Sequence, residues 1–271
     1  MVAAARTASP PAERLPGARR VEQIMGLPIV VDARDADDPA ALDEIFEWFR
    51  LVDRTFSTFI PDSEISRLNR GELALVDAHA DVRTVLARCE DLRSETNGYF
   101  DVRARDRHTV DPSGLVKGWS VDRAAEIADG LGWRNYAINA GGDIRLRGGA
   151  LPEPVWRVGI QHPTLRQKVA AVVASDDLAV ATSGEYSRGE HVLDPHTGRP
   201  PAGVLSVTIT GPELATADAY ATAAFAMGVA GPAWTARLGR YGAMTILADE
   251  RVLKTPAFAR SAGSNIAPSA G

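Results

Sequence analysis

Cysteine is nearly absent. The chain of 271 residues has one, Cys89, so no intrachain disulfide can form. A lone thiol fits a reducing compartment. It falls in the helical run Val82 to Arg93, where a buried structural thiol is the expected state. Long apolar runs are missing as well, and nothing approaches the ~20 residues of a membrane span. No membrane insertion is expected. A secretory signal is missing too: Met1 to Ala5 is apolar, but Arg6 interrupts it before a hydrophobic region forms, and no lipid-attachment cysteine follows. The expected location is therefore cytoplasmic. An excess of positive charge is also lacking. A net charge of -5 and a pI near 5.6 argue against a protein built to coat nucleic acid. Arg6, Arg14, Arg19 and Arg20 make the N-terminal arm mildly basic, but Pro10, Pro11 and Pro16 among them suit a solvated, disordered leader over residues 1–20.

What is present is enough hydrophobic sequence, 45%, to bury a substantial core in one large domain or two small ones. Val21 to Ala33 reads as a strand interrupted around Met25-Gly26. Asp38-Pro39 opens a helix, with Leu42, Ile45, Phe46, Phe49 and Val52 on its buried face. Ser63 caps a short helix, Glu64 to Asn69. Val82 to Thr96 is an amphipathic helix stopped by Asn97-Gly98, and a further helix spans Gly114 to Leu131. Strands follow at 136–140, 143–147, 156–161, 169–175, 178–182, 204–210 and 243–248. Short links between neighbouring strands favour one α+β domain with mixed, largely antiparallel sheet over a doubly wound parallel one. It is expected to span 21–255, with a flexible tail at 256–271.

The stretch from Ser183 to Thr222 holds the chemistry. Asp218 and Thr222 are four apart at the start of an Ala-rich helical run, on one face and about one turn apart. A carboxylate and a hydroxyl so placed make a hard, all-oxygen site that suits Mg²⁺. The bland reading is a helix cap with a back-bonded threonine. His191 stands before a turn through Asp194, Pro195, Thr197 and Gly198. A neutral imidazole there serves either as a general base or as a brace for the turn. Asn139-Ala-Gly-Gly-Asp143 reads as a tight turn needing positive φ or as a glycine loop approaching a phosphate.

The chain resembles the ApbE family of FAD:protein FMN transferases. The matching segments are R-T-F-S-T-F-I-P-D-S-E-I-S-R-L-N (54–69), N-G-Y-F-D-V (97–102), D-P-S-G-L-V-K-G-W-S-V-D (111–122), N-A-G-G-D-I (139–144), A-T-S-G (181–184), H-V-L-D-P-H-T-G-R-P (191–200) and A-D-A-Y-A-T (217–222), in the family's order. The resemblance implies a T-fold-like α+β domain and a reaction. FAD and Mg²⁺ are bound, and the FMN half passes to a threonine hydroxyl of an acceptor flavoprotein with release of AMP, a phosphoryl transfer. It further implies that Asp218 and Thr222 are side-chain metal ligands and that Gly114 adds a backbone carbonyl. Met25, Phe59, Tyr99, Phe100, Asp101, Asp111 and Lys117 match positions that meet FAD. An FAD pyrophosphatase and a non-catalytic FAD-binding protein are the alternatives. The chain departs from the pattern in places. A bulkier residue is usual at Gly114, Ala221 replaces an acidic residue, and the loop between Asp101 and Asp111 is short and crowded with Arg103, Arg105, Arg107 and His108. That loop reads either as a solvated basic segment or as an attractor of anions.

Overall fold

The structure is a computed structural model and describes residues 16–165, 167–184 and 192–261. β1 (Ala18–Ile24) and β2 (Leu27–Ala33) form a hairpin whose turn is Met25-Gly26, with φ of 56° and 69°. Positive φ at both central residues is what a two-residue turn of this hand requires. This explains the interruption visible in the sequence. A 3-10 turn at Pro39–Leu42, capped by Asp38, leads into α1 (Asp43–Phe56). Then come α2 (Glu64–Asn69), α3 (Ala80–Glu95) and α4 (Ser113–Gly130). Ser63 Oγ accepts from Ser66 N at 3.0 Å, and Asn97 and Gly98 end α3 with φ of 54° and 81°.

The remaining strands are β3 (Tyr136–Ala140), β4 (Asp143–Arg147), β5 (Trp156–Gln161), β6 (Val169–Ser175), β7 (Asp177–Gly184), β8 (Val204–Gly211), β9 (Gly242–Leu247) and β10 (Val252–Lys254). The helices α5 (Leu214–Ala226) and α6 (Gly231–Thr235) lie between β8 and β9, and α7 (Pro256–Ser261) follows β10. One sheet of 8 strands runs β1-β2-β3-β4-β7-β8-β9-β10, with β5-β6 a separate pair. Every pairing among the described residues is antiparallel, so the fold is α+β as expected.

Period-2 alternation divides the sheet's two faces. On β7, Ala179 and Ala181 face a core shared with α1, α4 and α5, while Leu178 and Val180 face a second core under the β5-β6 pair and α7. The small side chains on the first face let α5, itself rich in alanine, lie close to the sheet. At Gly118 on α4 a Cβ would stand 2.6 Å from Leu214 O, so only glycine lets α4 and α5 approach this far. A third cluster joins α3 to α1, α4 and α5 through Val82, Val85, Cys89 and Leu92.

Described elements extend past 21–255 at both ends. Ala18 to Arg20 already pair in β1, so they do not belong to a leader. Residues 256–261 form α7 instead of a loose tail, because Phe258, fully buried, fills the core beneath β9.

Candidate active site

The β1-β2 turn, the end of α1, the 99–113 segment, the start of α4, β7 and α5 enclose a cavity of about 860 Å³. That volume suits a sizeable small molecule. All described residues proposed for FAD or the metal line it: Met25, Phe59, Tyr99, Phe100, Asp101, Asp111, Gly114, Lys117, Asp218 and Thr222. His191 lies outside the described residues.

The floor is a charged cluster drawn from three elements. Lys117 on α4 donates to Asp143 Oδ2 at the start of β4 and sits 3.4 Å from Asp218 Oδ1 on α5. The two carboxylates are almost wholly buried. Thr182 N donates to Asp143 Oδ1 at 3.0 Å, and Gly118 N to Asp218 Oδ2 at 3.3 Å. Desolvation would pull the Lys117 ammonium down, but Asp143 and Asp218 outweigh it and hold its pKa above the ordinary lysine value. Burial drives the Asp218 carboxyl upward from the carboxylate range; Lys117 opposes the rise and Asp143 adds to it. Two carboxylates face one ammonium, so the floor favours a further cation.

Beside this cluster, Thr222 Oγ1 and Ser183 Oγ share a hydrogen bond at 3.3 Å. Gly114 closes the group: a Cβ there would stand 3.2 Å from Phe100 Cε2 and 4.0 Å from Thr222 Oγ1. The Phe100 ring thus occupies the space a side chain at Gly114 would need.

The walls are braced by short polar contacts. Asp101 Oδ1 accepts from Arg103 N at 2.8 Å and its Oδ2 lies 3.6 Å from Arg93 Nε, so this carboxylate fixes the loop. Asp111 Oδ1 accepts from Ser113 N at 3.1 Å, holding the entry to α4. The Tyr99 ring packs edge-on against His196, 4.5 Å between centroids, and His196 Nε2 pairs with Asn97 O at 3.1 Å. The 194–199 turn forms as expected, with Asp194 Oδ1 accepting from His196 N at 2.9 Å. Phe59, 94% exposed, stands on the rim. Of the basic loop, Arg105 reaches the cavity wall.

Sequence reading did not place Asp143, Ser183 or His196 in a site. Gly141 and Gly142, with φ of 61° and 107°, make the β3-β4 turn that delivers Asp143 to Lys117. The tight-turn reading of the sequence is the one seen, and Gly141 also lines the cavity. The available signal was the acidic residue directly after the Gly-Gly pair.

Fold and cavity together define a class: an α+β domain whose cavity is lined by a buried carboxylate–lysine cluster flanked by hydroxyls. Comparison with known proteins narrows it. The ApbE family model matches residues 25–108 and 102–245, and the chain belongs to the ApbE family. The FAD:protein FMN transferase of Vibrio cholerae serotype O1 is 39% identical over 129 residues, 44% of this chain and 39% of that protein. The one from Haemophilus influenzae is 27% identical over 249 residues, 69% of this chain and 72% of that protein. The chain thus spans well under half of the first relative's length. Among solved structures, the flavin transferase ApbE from Vibrio cholerae aligns over 90% of this chain and 98% of its own, at 25% identity and a TM-score of 0.79. The Thermotoga maritima ApbE protein, 22% identical with a TM-score of 0.79, shares the fold.

Proposed function

We propose that this chain is a Mg²⁺-dependent FAD:protein FMN transferase, moving FMN from FAD to a threonine hydroxyl of an acceptor protein with release of AMP. One observation carries the reading: a single cavity of about 860 Å³ is lined by all the described residues expected to meet FAD or the metal. Membership of the ApbE family and the names of the relatives support it.

The floor suits Mg²⁺ on its own chemistry. Asp218, Thr222 and the Gly114 carbonyl would hold the ion, which supplies positive charge to neutralise a pyrophosphate. Among the described residues no group of three or more His, Cys, Asp or Glu gathers as a metal cage. A donor set of carboxylate, hydroxyl and carbonyl, completed by water and phosphate oxygens, is nevertheless usual for Mg²⁺. With Ala221 in place of a second acid, this chain would supply one fewer carboxylate to such an ion.

The chain's own groups then divide the work. Lys117 is a point charge for the pyrophosphate. Tyr99, Phe100 and Phe59 offer aromatic faces to the rings of FAD, with Met25 at the hairpin turn beside them. Asp101 and Asp111 keep the wall in shape. The acceptor hydroxyl oxygen attacks the FMN-side phosphorus in line, its bond to that phosphorus forms, and the bond to the AMP oxygen breaks. The hydroxyl proton passes to a base, for which His191 is the candidate. A cytoplasmic acceptor belongs to the same reading, and fractionation of cells followed by detection of the FMN-bearing protein tests it.

The decisive experiment incubates the protein with FAD and Mg²⁺, with and without flavin-binding proteins from the same genome, followed by mass spectrometry. AMP release only with acceptor, and FMN on a threonine, is the expected result. AMP without acceptor would make it an FAD pyrophosphatase, and no AMP in either case would leave a flavin-binding protein.

A further inference from the structure

On β7, Ala179, Ala181 and Ser183 alternate along the strand on the face covered by α5. Alanine serves the packing of helix on sheet at the first two positions, both fully buried. The hydroxyl at the third adds nothing to that fit, and a hydroxyl in so buried a place costs free energy unless it is bonded. Its partner is Thr222 Oγ1 on α5, at 3.3 Å, and it has no other among the described residues. Neighbouring Thr182 turns its hydroxyl elsewhere, to Thr208 Oγ1 on β8 at 2.9 Å.

Thr222 differs from other threonines on the helices. Thr55 on α1, Thr84 on α3 and Thr96 at the end of α3 each donate to the carbonyl four residues back, at 2.8, 2.9 and 2.7 Å. Thr222 makes no such bond to Asp218 O and reaches across to Ser183 instead. Its back-bonded reading is therefore not what the structure has. A threonine whose lone pair faces a cation must point its proton away, and Ser183 Oγ is the acceptor at hand. Having accepted from Thr222, Ser183 keeps its own O–H to donate. Both residues line the large cavity, so the pair offers it a lone pair and a proton side by side.

We infer that Ser183 is a substrate-binding residue whose hydroxyl accepts from Thr222 and donates to a pyrophosphate oxygen of FAD. The inference rests on the transfer reading above and adds a contact to it. The floor explains why this donor is neutral. Asp143 and Asp218 already face Lys117, and a second cationic side chain here would pair with a carboxylate that the metal needs. A hydroxyl serves the phosphate oxygen without competing for that carboxylate.

The test compares binding of FAD and of riboflavin, which shares the flavin rings but has no phosphate, by flavin fluorescence with Mg²⁺ present. Ser183→Ala should weaken FAD at least about tenfold, the worth of a hydrogen bond to a charged group, and leave riboflavin unchanged. Its unfolding midpoint should match the parent's, since alanine already fills positions 179 and 181. The same loss of FAD affinity should appear when Ser183→Ala is added to Thr222→Val. Unchanged FAD affinity, or an equal loss for riboflavin, would overturn the inference. A loss that vanishes in the Thr222→Val background would also overturn it, because Ser183 would then act only by orienting Thr222. A parent that binds FAD yet releases no AMP with acceptor would sink the transfer reading and leave the binding comparison standing.

Discussion

At the scale of the residue, Asp218 shows how a site works against the fold that holds it. Its carboxylate is buried, repelled by Asp143 and only partly offset by Lys117, which Asp143 already engages. Burying a charge costs free energy unless it is fully paired. Asp218→Asn is therefore expected to leave the thermal midpoint at pH 8 unchanged or raised, while Mg²⁺-dependent AMP release is lost. A drop of more than about 5 °C in a thermal scan would mean that the carboxylate stabilises the fold. Thr222→Val keeps the side-chain shape but removes the hydroxyl bonded to Ser183. It should weaken Mg²⁺ dependence with the fold intact; an unaltered Mg²⁺ titration would make the hydroxyl structural. Cys89 presents the opposite case of an inert group. Burial pushes its thiol up to about 12, with Arg88 opposing only weakly, so almost no thiolate exists at neutral pH. A thiol reagent should leave the native protein unlabelled at pH 7.5 and label one cysteine in urea; fast native labelling would contradict the burial.

At the scale of the element, α5 begins without a cap of its own, since the Glu213 side chain accepts from the Thr216 hydroxyl and from no backbone N–H there. Asp122 on α4 supplies it from across the interface, its Oδ1 accepting from Leu214 N at 3.0 Å and its Oδ2 from Ala215 N at 2.8 Å. The helix that carries Asp218 and Thr222 is thereby locked to the helix that carries Gly114 and Lys117. Asp122→Ala should cost about 1–2 kcal/mol, the worth of a strong cap. Burial pushes the Asp122 carboxyl up to about 6, against the pull of the two backbone N–H groups and Arg145. A folded-state pKa above the unfolded one means that this group's stabilising contribution is complete below about pH 4 and is lost as pH rises through about 6. The stability gap between the parent and Asp122→Asn should accordingly narrow between pH 4.5 and pH 7.5 in urea titrations. A gap that widened would mean that the caps, not desolvation, set this carboxyl.

At the scale of the whole molecule, α7 and the β5-β6 pair cover the sheet face opposite the candidate site. Phe258 is fully buried over β9, where a Cβ on Gly242 would stand 2.5 Å from its backbone N. Phe258→Ala should destabilise the protein by about 3–5 kcal/mol while leaving FAD affinity in the surviving folded fraction unchanged. A loss below about 1 kcal/mol in denaturant unfolding would return the segment to the status of a tail. The sequence missed α7 because Pro256 to Ser261 is too short for a helical period and lies among Ala, Gly and Ser. Its order comes from Phe258 finding a partner surface made by β9. Most other elements were legible, because capping residues, αL stops and apolar spacing act over a few neighbours: Ser63 before α2, Asn97-Gly98 after α3, Asp218 and Thr222 on one face of α5. The ordered motifs likewise carried the family. What no local signal held was the meeting of Asp143 with Lys117 and Asp218, which lie on β4, α4 and α5. That cluster exists because β4 sits beside β7 in the sheet and α4 packs tightly on α5, both consequences of burying apolar faces between segments far apart in the chain. Local chemistry in the sequence thus determined the elements and put Asp218 and Thr222 on one face of α5, and long-range burial alone decided that a lysine and a second carboxylate stand beside them.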